Sequence, residues 1–228
     1  MVKKEKCCNM DGISLISGGK DSLYAMYIAM QQGINIKKII NIIPERYSFM
    51  YHFPNTEIVK YIAEALNMEI YQFKISDNID DLKLILSNFD EIMVTSGAIA
   101  SEYQKTRIDM VCTELGKIHY APLWRKDPFN LLNEIIESGF KAIFVSVSAE
   151  GLGEELLGKE INMGVLNKIK ELNKKYGIHP SGEGGEYETL VLDSPIFSKK
   201  LGIIDYEKIW EGSYGIMNIK KVQLEEKF

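Results

Sequence analysis

Between Gly12 and Tyr120 the runs ISLIS, KKIINII, EIYQFKI, EIMVTSG and KIHYAPL alternate with DSLYAMYIAMQQ, NTEIVKYIAEALN, DDLKLILSNF and SEYQKTRIDMVCTEL. Strands buried on both faces read as continuous apolar runs, and such runs spaced by helical patterns specify a parallel sheet with crossover helices. The alternation therefore predicts a five-stranded, doubly wound α/β lobe, placed at residues 1–122. Asp21 and Asn55 stand where they can cap helices opening at Ser22 and Thr56, and Gly33 and Gly116 stand where helices stop. Beyond Pro122 the order changes. A helix (about Phe129 to Ser138), a very apolar strand (KAIFVSVS), a glycine-rich loop (EGLGEELLG), a helix (Val165 to Tyr176), GEGGEYETLVLD and a tail with β-like alternation predict a smaller α/β lobe over residues 123–228.

With 228 residues, of which 46% are hydrophobic and 26% charged, the chain can bury a substantial core. No segment approaches the ~18 uninterrupted apolar residues of a membrane span, and the N-terminal MVKKEKCCNMDG lacks the apolar run of a secretory signal. A cytoplasmic protein without a membrane association is expected. The formal net charge of −5 gives no global attraction for polyanions, which disfavours nucleic acid as a partner. Cys7, Cys8 and Cys112 form no CxxC, and His52, His119 and His179 lie far apart, so neither a disulfide framework nor a zinc site is suggested.

SGGKDS, Ser17 to Ser22, follows the first buried strand and opens a helix. Backbone N–H groups and the positive helix end converge there, at the sheet edge where open α/β proteins bind ligands, so an anion belongs in this loop. It is not a Walker A motif, because Ser14 stands six before Lys20 and Asp21 stands where Ser or Thr is needed. Gly18 and Gly19 allow close approach to phosphate oxygens, Lys20 adds a point charge, and Ser17 and Ser22 offer hydroxyls. Asp21 has two compatible readings, a residue linked to a Mg²⁺ that bridges carboxylate and phosphates, or an N-cap.

SGGKDS after a first strand resembles the motif of the N-type ATP pyrophosphatases. Four further stretches narrow the likeness: SFMYH (Ser48 to His52), SGAIASEYQKTR (Ser96 to Arg107), APLWRKD (Ala121 to Asp127) and GEGGEYETLVLD (Gly182 to Asp193). Together they resemble the diphthine–ammonia ligases, over nearly the whole chain to about Pro195. Glu102 and Lys105 depart conservatively, standing where aspartate and arginine are frequent. The resemblance implies an adenine-nucleotide alpha-hydrolase-like (HUP) fold and an AMP-forming acid–ammonia ligase. Such an enzyme adenylates the carboxylate of diphthine, a modified histidine of translation elongation factor two, and ammonia then yields diphthamide, AMP and pyrophosphate. The implied partners are ATP, Mg²⁺, ammonia and the diphthine-bearing factor, and a homodimer is the assembly allowed for. The related alternatives act in cobalamin metabolism, where the corresponding segment resembles GENGEFHT, or in tRNA modification, which commonly needs cysteine pairs and a basic surface.

The residues carry their own chemistry. GEGGEYET crowds Glu183, Glu186 and Glu188 around glycines and Tyr187, which suits a cation better than a purely structural turn. A quaternary ammonium favours aromatic faces by roughly 0.5–2 kcal/mol, and incoming ammonium must lose a proton, so one glutamate holds charge and another serves as general base. Lys20, Asp21, Glu183 and Glu186 are the expected catalytic set. Ser17 to Ser22 with Ser96, Gly97 and Arg107 are expected to line the nucleotide site. His52, Tyr103, Gln104, Glu183, Glu186, Tyr187 and Glu188 are expected to meet substrate, with SFMYH as a lid or substrate-facing loop and EGLGEELLG bounding the site from the second lobe. No glutaminase nucleophile is evident, which implies free ammonia or an outside source.

Overall fold

The computed structural model describes residues 10–44, 56–75 and 78–227. The first lobe contains β1 (Asp11–Leu15), α1 (Lys20–Gln31), β2 (Asn35–Pro44), α2 (Val59–Ala65), β3 (Glu69–Ile75), α3 (Ile79–Ser87), β4 (Met93–Thr95), α4 (Glu102–Glu114) and β5 (Ile118–Tyr120). Its five strands are all parallel in the order β3-β2-β1-β4-β5. The chain winds outward from β1 through β2 to β3, then crosses to β4 and β5 on the other side. The winding reverses between β1 and β4, which opens a crevice at their C-terminal ends.

Each strand sits where an apolar run foretells it, and the burial explains why. The central strands β1 and β4 bury residues on both faces, among them Ile13, Met93 and Val94. On one face, Ile13, Ile40, Leu86, Phe89, Val94, Val111 and Cys112 form a cluster under α3 and α4. The opposite face packs on α1 and α2, and its core runs without a break into the second lobe through Tyr24, Phe140, Phe144, Tyr187 and Leu190. Tyr24, Tyr27 and Phe140 meet as an aromatic trio, the rings of Tyr24 and Phe140 at 5.5 Å edge to face, a geometry that adds to area burial.

The second lobe contains α5 (Pro128–Glu137), β6 (Lys141–Val147), α6 (Met163–Tyr176), β7 (Tyr187–Asp193), β8 (Lys199–Glu211) and β9 (Tyr214–Glu226). Its strands pair antiparallel in the order β7-β6-β9-β8. The tail with β-like alternation is the long β8–β9 hairpin. Asp127 caps α5 through Asn130 N at 2.8 Å with Pro128 in the first turn, and Asn162 caps α6 through Val165 N at 3.1 Å. These are the partners that the orphan N–H groups of a helix start require. The EGLGEELLG segment forms a short 3₁₀ turn, Glu154–Leu156, and bridges to β6 at Phe144.

The expected cap of α1 changes. α1 opens at Lys20 with Gly19 as N-cap and no side-chain cap, so Asp21 lies inside the first turn and does not cap the helix. Its carboxylate is drawn instead to the Lys20 ammonium, 2.8 Å away, a charged partner that outcompetes a backbone N–H. Asn55 lies outside the described residues, and Thr56 begins a 3₁₀ turn, Thr56–Ile58, that leads into α2.

Gly97, just after β4, lies against the first turn of α1. A Cβ there would sit 2.6 Å from Ser22 N and 2.7 Å from its Cα, both rigid backbone atoms. Gly97→Ala must therefore displace the helix start. It is expected to destabilise by about 1–3 kcal/mol and to weaken nucleotide binding, read as a lower melting temperature and a weaker calorimetric ATP titration. An unchanged titration would show that α1 and β4 need not approach so closely.

Candidate active site

The crevice at the switch point is walled by both lobes and encloses a cavity of about 500 Å³. Along its floor the phosphate loop holds itself together. Ser17 N donates to Ser22 Oγ at 3.2 Å, Gly19 N to Ser17 Oγ at 3.3 Å, and Ser22 Oγ to Gly19 O at 3.1 Å. The two hydroxyls expected to face a ligand thus also fix the loop's shape.

The loop is docked on the second lobe by main-chain contacts. Val191 N of β7 donates to Gly18 O at 3.0 Å, and Lys20 N donates to Thr189 Oγ1 at 3.1 Å. The Lys20 side chain completes the join. Only 2% exposed, its ammonium donates to Asp21 Oδ2 and to Ser181 O, each at 2.8 Å, and stands 5.0 Å above the Tyr187 ring centre. Burial pulls its pKa down, but Asp21, Tyr187 and Glu183 outweigh burial and hold it above the ordinary lysine value. Lys20 therefore stays charged, and the ring expected to receive a quaternary ammonium already carries the primary ammonium of Lys20. Tyr187 is itself buried, with its hydroxyl donating to Pro180 O and its pKa pushed up to about 12 by burial.

Two carboxylates join Asp21 at the cavity wall, Glu183 and Glu188. Glu183 Oε2 accepts from Ala100 N at 3.3 Å, which ties the GEGGEYET turn to the segment after β4. Burial raises the pKa of both glutamates; at Glu183 the Ala100 hydrogen bond opposes the rise, and at Glu188 the Lys20 charge opposes it. A carboxylate with a raised pKa takes and releases protons more readily near neutrality, as a general base must.

Glu186 is used differently. Its Oε1 accepts from His179 N at 2.9 Å and its Oε2 from Gly184 N at 2.8 Å, and it is not among the cavity's lining residues. It staples the turn whose Gly182 takes φ +76 beneath the Tyr187 carbonyl. From α4, Gln104 faces the cavity, whereas Tyr103 and Arg107 do not line it: the Arg107 guanidinium donates to Tyr103 OH at 2.6 Å and packs on its ring. Ser96 and Gly97 do line it. His52 lies outside the described residues. Trp124 carries Lys105 and Arg125 on its ring faces, at 5.4 and 5.7 Å.

The fit of a Mg²⁺ rests on Asp21. Its Oδ1 is buried and has no hydrogen-bond partner, while Oδ2 pairs with Lys20. Among the described residues no group of three or more His, Cys, Asp or Glu forms a cage for an ion. One orphaned carboxylate oxygen beside a phosphate loop fits Mg²⁺, which typically takes one or two protein carboxylates and fills its shell with phosphate oxygens and water.

Sequence reading misses several lining residues. Asn41, 2% exposed, donates to Ile16 O at 2.8 Å and accepts from Gln72 Nε2 at 3.0 Å. A lone asparagine inside KKIINII is the signal that could have found it, because a polar group in a doubly buried strand needs a reason to be there. Thr189 and Ser181, by contrast, gain their roles only from the docking of two lobes.

A parallel sheet with a glycine-rich phosphate loop at its switch point, closed by an acidic turn from a second lobe, defines a two-lobed nucleotide-binding α/β protein. Comparison with known sequences narrows this. A family model described as the diphthamide synthase N-terminal domain matches residues 10–118, and one described as the diphthamide synthase C-terminal domain matches residues 127–224. A Danio rerio protein named diphthine–ammonia ligase is 39% identical, across 85% of this chain and 86% of that protein. One from Mus musculus is 33% identical, across 94% and 92%. A Schizosaccharomyces pombe protein of the same name is 36% identical across 92% of this chain, which spans only 39% of that relative's length. The chain belongs to the diphthamide synthase family.

The site's glutamates should separate by stability. Glu188 has a folded pKa above its unfolded one, so its ionisation destabilises the fold; that loss is absent below the unfolded value and complete above the folded one. Glu188→Gln should therefore raise the melting temperature by about 2–4 °C at pH 7 and by less near pH 4.5. Glu186→Gln should lower it, because an amide NH₂ must then face His179 N or Gly184 N. Scanning calorimetry checks both, and a fall for Glu188→Gln would contradict the electrostatic account.

Proposed function

We propose that this protein is an AMP-forming diphthine–ammonia ligase that acts on a diphthine-bearing elongation factor two in the cytoplasm, with residues 1–122 and 123–228 as its two working lobes. The observation that carries the reading is the closure of the phosphate loop against the GEGGEYET turn through Lys20. Membership of the diphthamide synthase family supports the same reaction. Both walls of the cavity come from one chain, so the reading needs no second copy.

ATP lies with its phosphates on Ser17 to Ser22, where backbone N–H groups and the α1 N-terminus complement negative charge. Lys20 and the positive end of α1 stabilise the charge that develops on pyrophosphate as the diphthine carboxylate bonds to the α-phosphorus and the α–β bridge breaks. Asp21 Oδ1 would hold a bound Mg²⁺, which would neutralise charge on the triphosphate and offset its repulsion from the acidic wall. Ammonia then attacks the acyl carbon, the carbon–oxygen bond to AMP breaks, and a proton leaves the nitrogen. Glu183 is the proposed acceptor of that proton, because it lines the cavity, is half-buried and has a raised pKa. Glu186 supports this step by shaping the turn. Glu188 adds negative charge that suits the trimethylammonium of diphthine. Positioning within the crevice supplies much of the rest.

Purified protein incubated with diphthine-bearing factor, ATP, Mg²⁺ and ammonium should release AMP and pyrophosphate and shift the factor by the mass of an acid-to-amide conversion. ADP with orthophosphate would contradict adenylation. Lys20→Ala should weaken ATP binding by at least about tenfold, as expected from losing a charged contact, whereas Glu183→Gln should keep ATP binding and lose amide formation.

A further inference from the structure

A chain of hydrogen bonds that the reaction above does not use ends at the cavity wall. Lys105 Nζ donates to Asp109 Oδ2 at 2.5 Å, Asp109 Oδ1 meets His119 Nδ1 at 2.6 Å, and His119 Nε2 meets Ser96 Oγ at 2.7 Å. The residues come from α4, β5 and the end of β4. The His119 side chain is 3% exposed and Ser96 is 5% exposed, yet Ser96 lines the cavity beside Gly97 and the first turn of α1.

The direction of each proton follows from chemistry. Burial raises the pKa of Asp109, but its hydrogen bonds from Lys105 and His119 outweigh burial and hold the carboxyl below the ordinary range. Asp109 is thus an ionised acceptor on both oxygens and must receive an N–H from His119 Nδ1. Burial keeps the imidazole neutral by lowering its pKa, although Asp109 pulls the other way. A neutral ring with its proton on Nδ1 has a bare lone pair on Nε2, so Ser96 is the donor of the 2.7 Å bond. The hydroxyl's single proton is then committed to His119, and only lone pairs remain for the cavity.

We propose that Asp109 and His119 are positioning residues that lock Ser96 as a hydrogen-bond acceptor in the cavity, where it receives an N–H or O–H of the bound nucleoside. The inference rests on the cavity being the nucleotide site, and it names one polar contact by which that site recognises more than phosphate. Two parts of an adenosine carry such donors, the exocyclic amine and the ribose hydroxyls.

The test is a pair of measurements on wild type, Ser96→Ala and Asp109→Asn. Asparagine is the informative change because Lys105 demands an oxygen: the substituted side chain must turn its carbonyl to Lys105 and its NH₂ to His119, which moves the ring proton to Nε2 and reverses the Ser96 hydroxyl. Nitrogen-15 NMR of the three histidines, with His119 assigned by its loss in His119→Gln, should find the Nδ1–H tautomer in wild type and Nε2–H in Asp109→Asn. An Nε2–H tautomer in wild type overturns the proposal whatever the cavity binds.

Calorimetric titrations with Mg²⁺ then compare ATP with inosine triphosphate, which lacks the amine, and with 2′-deoxy and 3′-deoxy ATP. Wild type should bind the analogue missing the recognised donor about threefold to tenfold more weakly, the span of one hydrogen bond. Ser96→Ala should erase that preference, and Asp109→Asn should reduce it, because one Ser96 lone pair then accepts from His119 Nε2–H. A preference that survives Ser96→Ala, or no preference among the four nucleotides, contradicts the proposal. If wild type binds no nucleotide at all, the nucleotide reading of the cavity fails, and the tautomer measurement still judges the hydroxyl's direction.

Discussion

The ammonium of Lys20 is the contact on which the rest of the structure depends. It is buried between the Asp21 carboxylate, the Ser181 carbonyl and the Tyr187 ring, and those partners come from both lobes. A charge removed from water costs several kcal/mol unless it is paired and hydrogen-bonded, and the second lobe, which helps to bury Lys20, also supplies the carbonyl and the ring that offset its lost hydration. The phosphate loop is thereby finished by a segment some 160 residues further on. One core, running from α1 to β6 and β7, enforces the same docking with apolar contacts.

Around that cation the protein gathers negative charge that the fold alone would not choose. Asp21 keeps a buried oxygen without a partner, and Glu183 and Glu188 have their pKa values raised by burial. Such arrangements trade stability for chemistry, and they cluster where charge must be met or moved. Glu186 marks the boundary of this region. Its two oxygens are spent on backbone N–H groups, so it shapes the turn that presents the other glutamates.

The sheet was legible because buried parallel strands leave continuous apolar runs, and SGGKDS fell in register with the first of them. Asp21 was harder to read, since an aspartate near a helix start has two natural partners and only the structure shows Lys20 taking it. Arg107, expected at the nucleotide, and Tyr103, expected at the substrate, instead meet each other outside the cavity lining, while Gln104 lies within it. Ser96, Asp109 and His119 meet across three elements, and spacing within a single helix or strand cannot reveal such a meeting. His52 and Asn55 fall outside the described residues.

The central claim is that the cavity joins a carboxylate oxygen to the α-phosphorus of ATP before ammonia arrives. Labelling the diphthine carboxylate with oxygen-18 and weighing the products of one turnover tests it directly. The account predicts one labelled oxygen in the phosphate of AMP and none in pyrophosphate. Label in orthophosphate, or AMP formed without label, would contradict it.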